Sequence, residues 1–144
     1  MTFNEIYSTY LNYSPDEKIA LAQGATAELL KFFQKVGLTE DKPELVQSFF
    51  HTLLSLFIGA DGKITSNEAA IYNEVFGTNY RPSEMVEFIG EIIKDNDNFI
   101  AIDRFIDQMN QEQKTLCCYI VLAIITADGN VTAEESAAFE RILA

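Results

Sequence analysis

Apolar residues recur at three- and four-residue intervals along almost the whole chain, the period of an amphipathic α-helix. No stretch alternates cleanly at two with Asn-Gly or Asp-Gly hairpin punctuation, so the pattern predicts an all-α fold. Phe3, Ile6, Tyr7 and Tyr10 share one face of a first helix that ends near Asn12. Ser14-Pro15-Asp16-Glu17 supplies a cap, a proline at the first helical position and two acids at the positive end of the helix dipole. It opens a long helix to about Val36, with Gly37 placed as its C-terminal cap. Pro43-Glu44 starts a third helix through Phe49, Phe50, Leu53 and Phe57, which the Asp61-Gly62 turn ends. A fourth runs from about Ser66 to Phe76, closed by Gly77-Thr78-Asn79. Pro82 or Ser83 opens a helix through Met85, Ile89 and Ile93, and Asp95-Asn96-Asp97-Asn98 reads as a turn-rich break. A helix through Phe99, Ile102, Phe105 and Met109 follows, then an apolar one from about Gln111 and a last one from about Ala133. Eight or nine helices result.

Two of the helix junctions carry nearly the same words. Ile58-Gly59-Ala60-Asp61-Gly62-Lys63-Ile64-Thr65-Ser66-Asn67-Glu68 returns as Ile125-Thr126-Ala127-Asp128-Gly129-Asn130-Val131-Thr132-Ala133-Glu134-Glu135, at a constant step of 67 positions. The same step carries Asn12-Tyr13-Ser14-Pro15 onto Asn79-Tyr80-Arg81-Pro82 and Phe32 onto Phe99. A register shared by distant landmarks implies duplication. The chain therefore reads as a single domain: an extra N-terminal helix over 1–11, repeat one over about 12–76 and repeat two over about 77–144, two copies of a four-helix unit with internal pseudo-two-fold symmetry.

At 144 residues the chain can bury a sizeable core without staples, and 48% hydrophobic residues with 11 Phe mark a packed protein rather than a disordered one. A formal net charge of −12 repels phosphate backbones and anionic lipid, so nucleic acid is not an expected partner. The N-terminus lacks a basic region followed by a continuous apolar run, which points to the cytoplasm. The longest apolar stretch, Leu116 to Ala127, falls short of the roughly 20 residues a membrane span requires and reads as a central core helix. Within it lie adjacent Cys117 and Cys118, about 100° apart on a helix and so ill-placed for a disulfide or a zinc pair; they read as buried free thiols.

The repeated junction has a structural reading and a chemical one. Asp61-Gly62 suits a turn with glycine at positive φ, Thr65-Ser66-Asn67-Glu68 forms a capping box, and Ile64 is a buried anchor; Asp128, Gly129, Val131, Thr132 and Glu135 repeat the set. The same spacing matches the end of an EF-hand calcium loop, but loop positions one and three fall on Phe57 and Gly59, and on Ile124 and Thr126, none of which offers a carboxylate. A self-sufficient EF-hand is not expected. If a two-fold relation brings the loops together, Asp61, Glu68, Asp128 and Glu135 would suit a divalent cation such as calcium, magnesium or manganese, with Asn67 and Glu134 as outer ligands.

The paired Ala-Asp-Gly-x-(Ile/Val)-Thr-x-x-Glu segments, each following an apolar helix and opening another, resemble the TerB-like family, which includes a bacterial tellurite-resistance protein and the N-terminal domain of a membrane-anchored co-chaperone. The resemblance implies an all-helical, internally symmetric domain in stress-response assemblies. It also implies metal binding by acidic residues of these loops, which here are Asp61, Glu68, Asp128 and Glu135.

Other chemistry is sparse. His51, the single histidine, lies between Phe50 and Leu53 and reads as a packed structural residue. There is no Gly-x-Ser-x-Gly elbow or phosphate-cradling glycine loop, and the obvious carboxylates already have capping roles, so no catalytic residue is assigned and an enzyme is not expected. Tyr13 and Tyr80 are expected to pack at joins between helices. Two functional readings stand: an interaction or scaffold module with an unidentified protein partner, or a divalent-cation-binding protein.

Overall fold

Capping chemistry sets where the helices begin. In the computed structural model, residues 2–35, 43–58, 64–127, 129 and 131–144 are described, with the backbone alone at 43–48, 58, 96 and 98. The described residues form eight helices: α1 Phe3–Tyr10, α2 Pro15–Lys35, α3 Pro43–Ile58, α4 Ser66–Phe76, α5 Pro82–Lys94, α6 Asn96–Asp107, α7 Gln111–Ile125 and α8 Ala133–Leu143. The fold is all-α, and the expected starts at Pro15, Pro43, Ser66, Pro82, Gln111 and Ala133 are the observed ones. Reciprocal side-chain caps recur. Ser14 Oγ accepts from the Glu17 amide at 3.2 Å while Glu17 accepts from the Ser14 amide at 2.9 Å, and Asn110 and Gln113 exchange the same pair of bonds at 2.9 Å each. Each box satisfies amide donors that a helix start otherwise leaves unpaired.

Two expectations are corrected. Among the described residues the first copy contains three helices, not four, because α2 runs unbroken where its counterpart is split into α5 and α6. The split is also shorter than Asp95–Asn98 suggested: Asp95 alone lies outside the helices, ending α5 and capping α6 by accepting from the Asp97 amide at 3.0 Å. Asx residues favour helix starts as much as turns, so Asn96, Asp97 and Asn98 form the first turn of α6. The Gly37 cap and the Asp61-Gly62 turn lie outside the described residues. Gly77 ends α4 in the left-handed conformation, φ 67°, where glycine escapes the Cβ penalty.

Boundaries repeat at the sequence step. Pro15 and Pro82 open α2 and α5, Ile58 and Ile125 end α3 and α7, and α4 maps residue for residue onto α8. In the packing, α2 lies on α7 and α4, α5 and α6 lie on α3, α4 contacts α7, and α8 contacts both α7 and α3.

α3 and α7 touch each other, and α3 from Phe49 to Phe57 and α7 from Lys114 onward are buried or half-buried all round. That is what an apolar helix without a polar face must do. From α7, Cys117, Cys118 and every residue from Ile120 to Ile125 are buried, and from α3 Phe49, Phe50, Leu53, Leu54 and Phe57. Around this pair the other helices turn one stripe inward, such as Ala22, Ala25, Leu29 and Phe33 of α2. Small residues let the main contact close: Ala22 of α2 packs with Ala123 of α7 and Val75 of α4. α1 closes the far end, where the Phe3 ring stacks on Phe139 of α8 at 4.5 Å. At the N-terminal end of α7, the Lys114 ammonium donates to the Ala144 carbonyl at 2.9 Å and Gln111 to that of Leu143 at 2.9 Å, tying down the end of α8.

Candidate functional site

The two repeated junctions deliver their chains into α4 and α8 through the same local geometry. Thr65 (φ −77°, ψ 162°) and Thr132 (φ −78°, ψ 166°) are extended N-caps. The Thr65 hydroxyl accepts from the Glu68 amide at 3.1 Å and the Glu68 carboxylate accepts from the Thr65 amide at 2.9 Å. At the second junction the corresponding distances are 3.2 and 2.9 Å. Both capping boxes read from the sequence are therefore present, and Ile64 is a buried anchor beside the first of them. Replacing Thr65 or Thr132 with alanine is expected to cost about 1 kcal/mol each, the usual value of a side-chain N-cap. Urea unfolding of the single and double variants checks this, and a double variant as stable as the parent would show the boxes to be energetically idle.

Of the four expected metal ligands, Asp61 and Asp128 lie outside the described residues. Glu68 and Glu135 stand in the first turns of α4 and α8, each with one carboxylate oxygen engaged in its cap. Asn67 and Glu134, the expected outer ligands, are exposed at the adjacent positions. Among the described residues no three His, Cys, Asp or Glu side chains gather.

Residues that flank the two junctions border one cleft. A cleft of about 420 Å³ opens between the end of α1 and the start of α2, with Asn67 and Ala70 from the first turns of α4 on one wall and Thr126 and Ala127 from the end of α7 on another. The residue that leads out of the first loop and those that lead into the second thus border one space. α1 holds the second junction from both sides. The Tyr10 hydroxyl pairs with the Thr126 hydroxyl at 3.0 Å, Thr126 donates to the Leu122 carbonyl, and the Val131 amide donates to the Tyr7 hydroxyl at 3.4 Å. Burial raises the Tyr10 phenol above its ordinary value, opposed in part by the Thr126 bond. Sequence reasoning placed Tyr7 and Tyr10 on the buried face of α1 but missed these polar roles. The signal was there in the choice of tyrosine over phenylalanine, since a buried phenol needs a partner.

Remaining reactive groups are sequestered. Cys117 and Cys118 are free and buried, and desolvation raises both thiols, Cys118 to about 12. Burial thus disfavours the thiolate form of both side chains. His51 is 8% exposed in an aromatic nest, stacked on Tyr72 and Phe88 at 5.4 Å each, with Tyr80 at 5.9 Å. It is a packed histidine, and Tyr80 packs at its helix join, both as the sequence suggests.

The chain was compared with protein-family models, curated proteins and solved structures, and none of the three comparisons gave a match. Among the described residues no helix is long and apolar enough to cross a membrane.

Proposed function

We propose that the chain is a non-enzymatic, TerB-like interaction module that docks a protein partner in a cytoplasmic stress-response assembly of the tellurite-resistance kind. The observation that supports docking is a set of apolar side chains left outside the core on two helices that contact each other: Val86 and Ile93, two turns apart on α5, and Ile100 on α6, exposed by 38%, 43% and 44%. Single exposed apolar residues are ordinary, whereas three on adjoining helices, with Glu87 and Glu91 also exposed on α5, suit a partner with apolar groups and basic charge. The non-enzymatic reading is supported by the capping roles of Glu17, Glu68, Glu84 and Glu135 and by the burial of the cysteines and His51. A photoreactive residue at position 93 is expected to give one discrete protein adduct in stressed cells, lost in the Val86→Glu variant and absent when the probe sits at Lys31. The same adduct from both positions, or its survival in Val86→Glu, would overturn the reading.

The second reading, a divalent-cation site, is favoured by the recurrence of a carboxylate, Glu68 and Glu135, at the same first-turn position of both junctions. It is tested by melting in calcium, magnesium or manganese against chelator, because a ligand bound only to the native state adds about 2.7 kcal/mol at a hundred times its Kd. Glu68→Gln with Glu135→Gln keeps a capping amide oxygen and removes the charge. These changes are expected to leave the metal-free protein stable and to abolish the shift. No shift in the parent protein would end this reading.

A further inference from the structure

Beyond either reading, the cleft bordered by the junction flanks has a chemistry of its own. Its apolar surface comes from Ile19 of α2, Ala70 and Ile71 of α4 and Ala123 of α7. One charged side chain lines it, Lys18, a residue on the first turns of α2. On a chain of net charge −12, no carboxylate is among the described residues that line this space. Elsewhere among the described residues, Lys31 pairs with Glu28 at 3.0 Å and Arg81 with Glu84 at 3.1 Å. The Lys18 ammonium instead lies over the Tyr10 ring, 4.8 Å from its centroid, a position that orients the charge without neutralising it.

We propose that this cleft binds a small amphipathic carboxylate, its hydrocarbon part against Ile19, Ile71 and Ala123 and its carboxylate on Lys18. The volume of about 420 Å³ falls in the range of small-molecule sites, about 300–1,000 Å³. One ammonium balances one negative charge. A phosphate or other dianion would carry an uncompensated charge against an acidic surface, so a monoanion is selected. The half-buried setting of Lys18 strengthens the pairing over that of a fully exposed lysine. The internal repeat marks the position as specialised: a step of 67 from Lys18 arrives at Met85, which is buried in the core.

Octanoate is the probe, titrated into the full chain labelled at isoleucine and alanine methyls, with octanol and octylamine in parallel. Saturable shifts confined to Ile19, Ala70, Ile71 and Ala123 are expected with octanoate, weaker binding with octanol and none with octylamine. Lys18→Met, which writes the second copy's residue into the first, is expected to weaken octanoate binding about five-fold or more while leaving the octanol affinity and the melting temperature as they were. Absence of octanoate shifts, octanol binding as tightly as octanoate, or an unchanged octanoate affinity in Lys18→Met would each overturn the proposal.

Discussion

Replacing Phe33 with alanine is expected to destabilise the protein by about 3–5 kcal/mol, the range for deleting a large aromatic side chain from a packed core. Phe33 is 1% exposed and joins the two copies. Its ring meets Phe49 and Phe50 of α3 at 5.0 and 6.1 Å and Phe105 of α6 at 6.1 Å, all edge-on, the orientation that adds to simple area burial. The cavity left by Phe33→Ala would border three other rings, whose bulk limits how far they can collapse into it. A typical domain holds only about 5–15 kcal/mol in total, so the variant should lose a large share of its stability. Ile100 is the control, because it occupies the same register position in the second copy yet is 44% exposed. Ile100→Ala should fall within about 0.5 kcal/mol of the parent. Urea unfolding with unchanged m-values measures both. Losses within 1 kcal/mol of each other, a margin on the order of ordinary mutational scatter, would show that Phe33 is not the hub the geometry makes it.

The contrast between Phe33 and Ile100 also marks where sequence reading stops. Helix starts are local events, set by a proline or a capping side chain within three residues, and Pro15, Ser66, Pro82 and Ala133 could be read directly. The burial of α7 was equally legible, because no polar face exists along Leu116–Ile125 for water to meet. Register alone, however, predicts equal burial for Phe33 and Ile100. The interruption at Asp95 divides the helix before Ile100 and not before Phe33, and the outcome depends on which helices then lie alongside. The caps at Thr2 with Glu5 and Asn110 with Gln113 were readable by the same rule as Thr65 with Glu68 and were missed because no repeat drew notice to them. The cleft was out of reach, since Tyr10, Lys18, Asn67 and Thr126 come from separate segments and meet only after α2, α4 and α7 have packed.

Acid should act on the histidine in the core. Among the described residues neither His51 Nε2 nor the Tyr72 hydroxyl finds a hydrogen-bond partner, although both atoms are buried. Burial lowers the imidazole below its ordinary value of 6.5, because an imidazolium in this aromatic nest would lose its hydration. The unfolded chain then binds the proton more readily than the folded one. The contribution of neutral His51 is thus fully present above pH 6.5 and declines as pH falls from 6.5 toward the folded-state value, with a slope of at most about 1.4 kcal/mol per pH unit. The helix-capping carboxylates act in a lower window. Backbone bonds to Ser14 and Arg81 lower Glu17 and Glu84 from 4.5, so their contributions are lost only as pH falls below that value. Stability measured by urea unfolding at pH 7.5, 6.5 and 5.5 therefore isolates the histidine. His51→Phe keeps an aromatic ring between Tyr72 and Phe88 and removes the protonatable nitrogens, so it is expected to match or exceed the parent at pH 7.5 and to flatten the decline to pH 5.5. A parent profile already flat over that interval, or a His51→Phe profile as steep as the parent's, would place the acid sensitivity elsewhere. Tyr72→Phe supplies the complementary test, since deleting an unpaired buried hydroxyl should cost nothing and leave the His51-dependent slope in place.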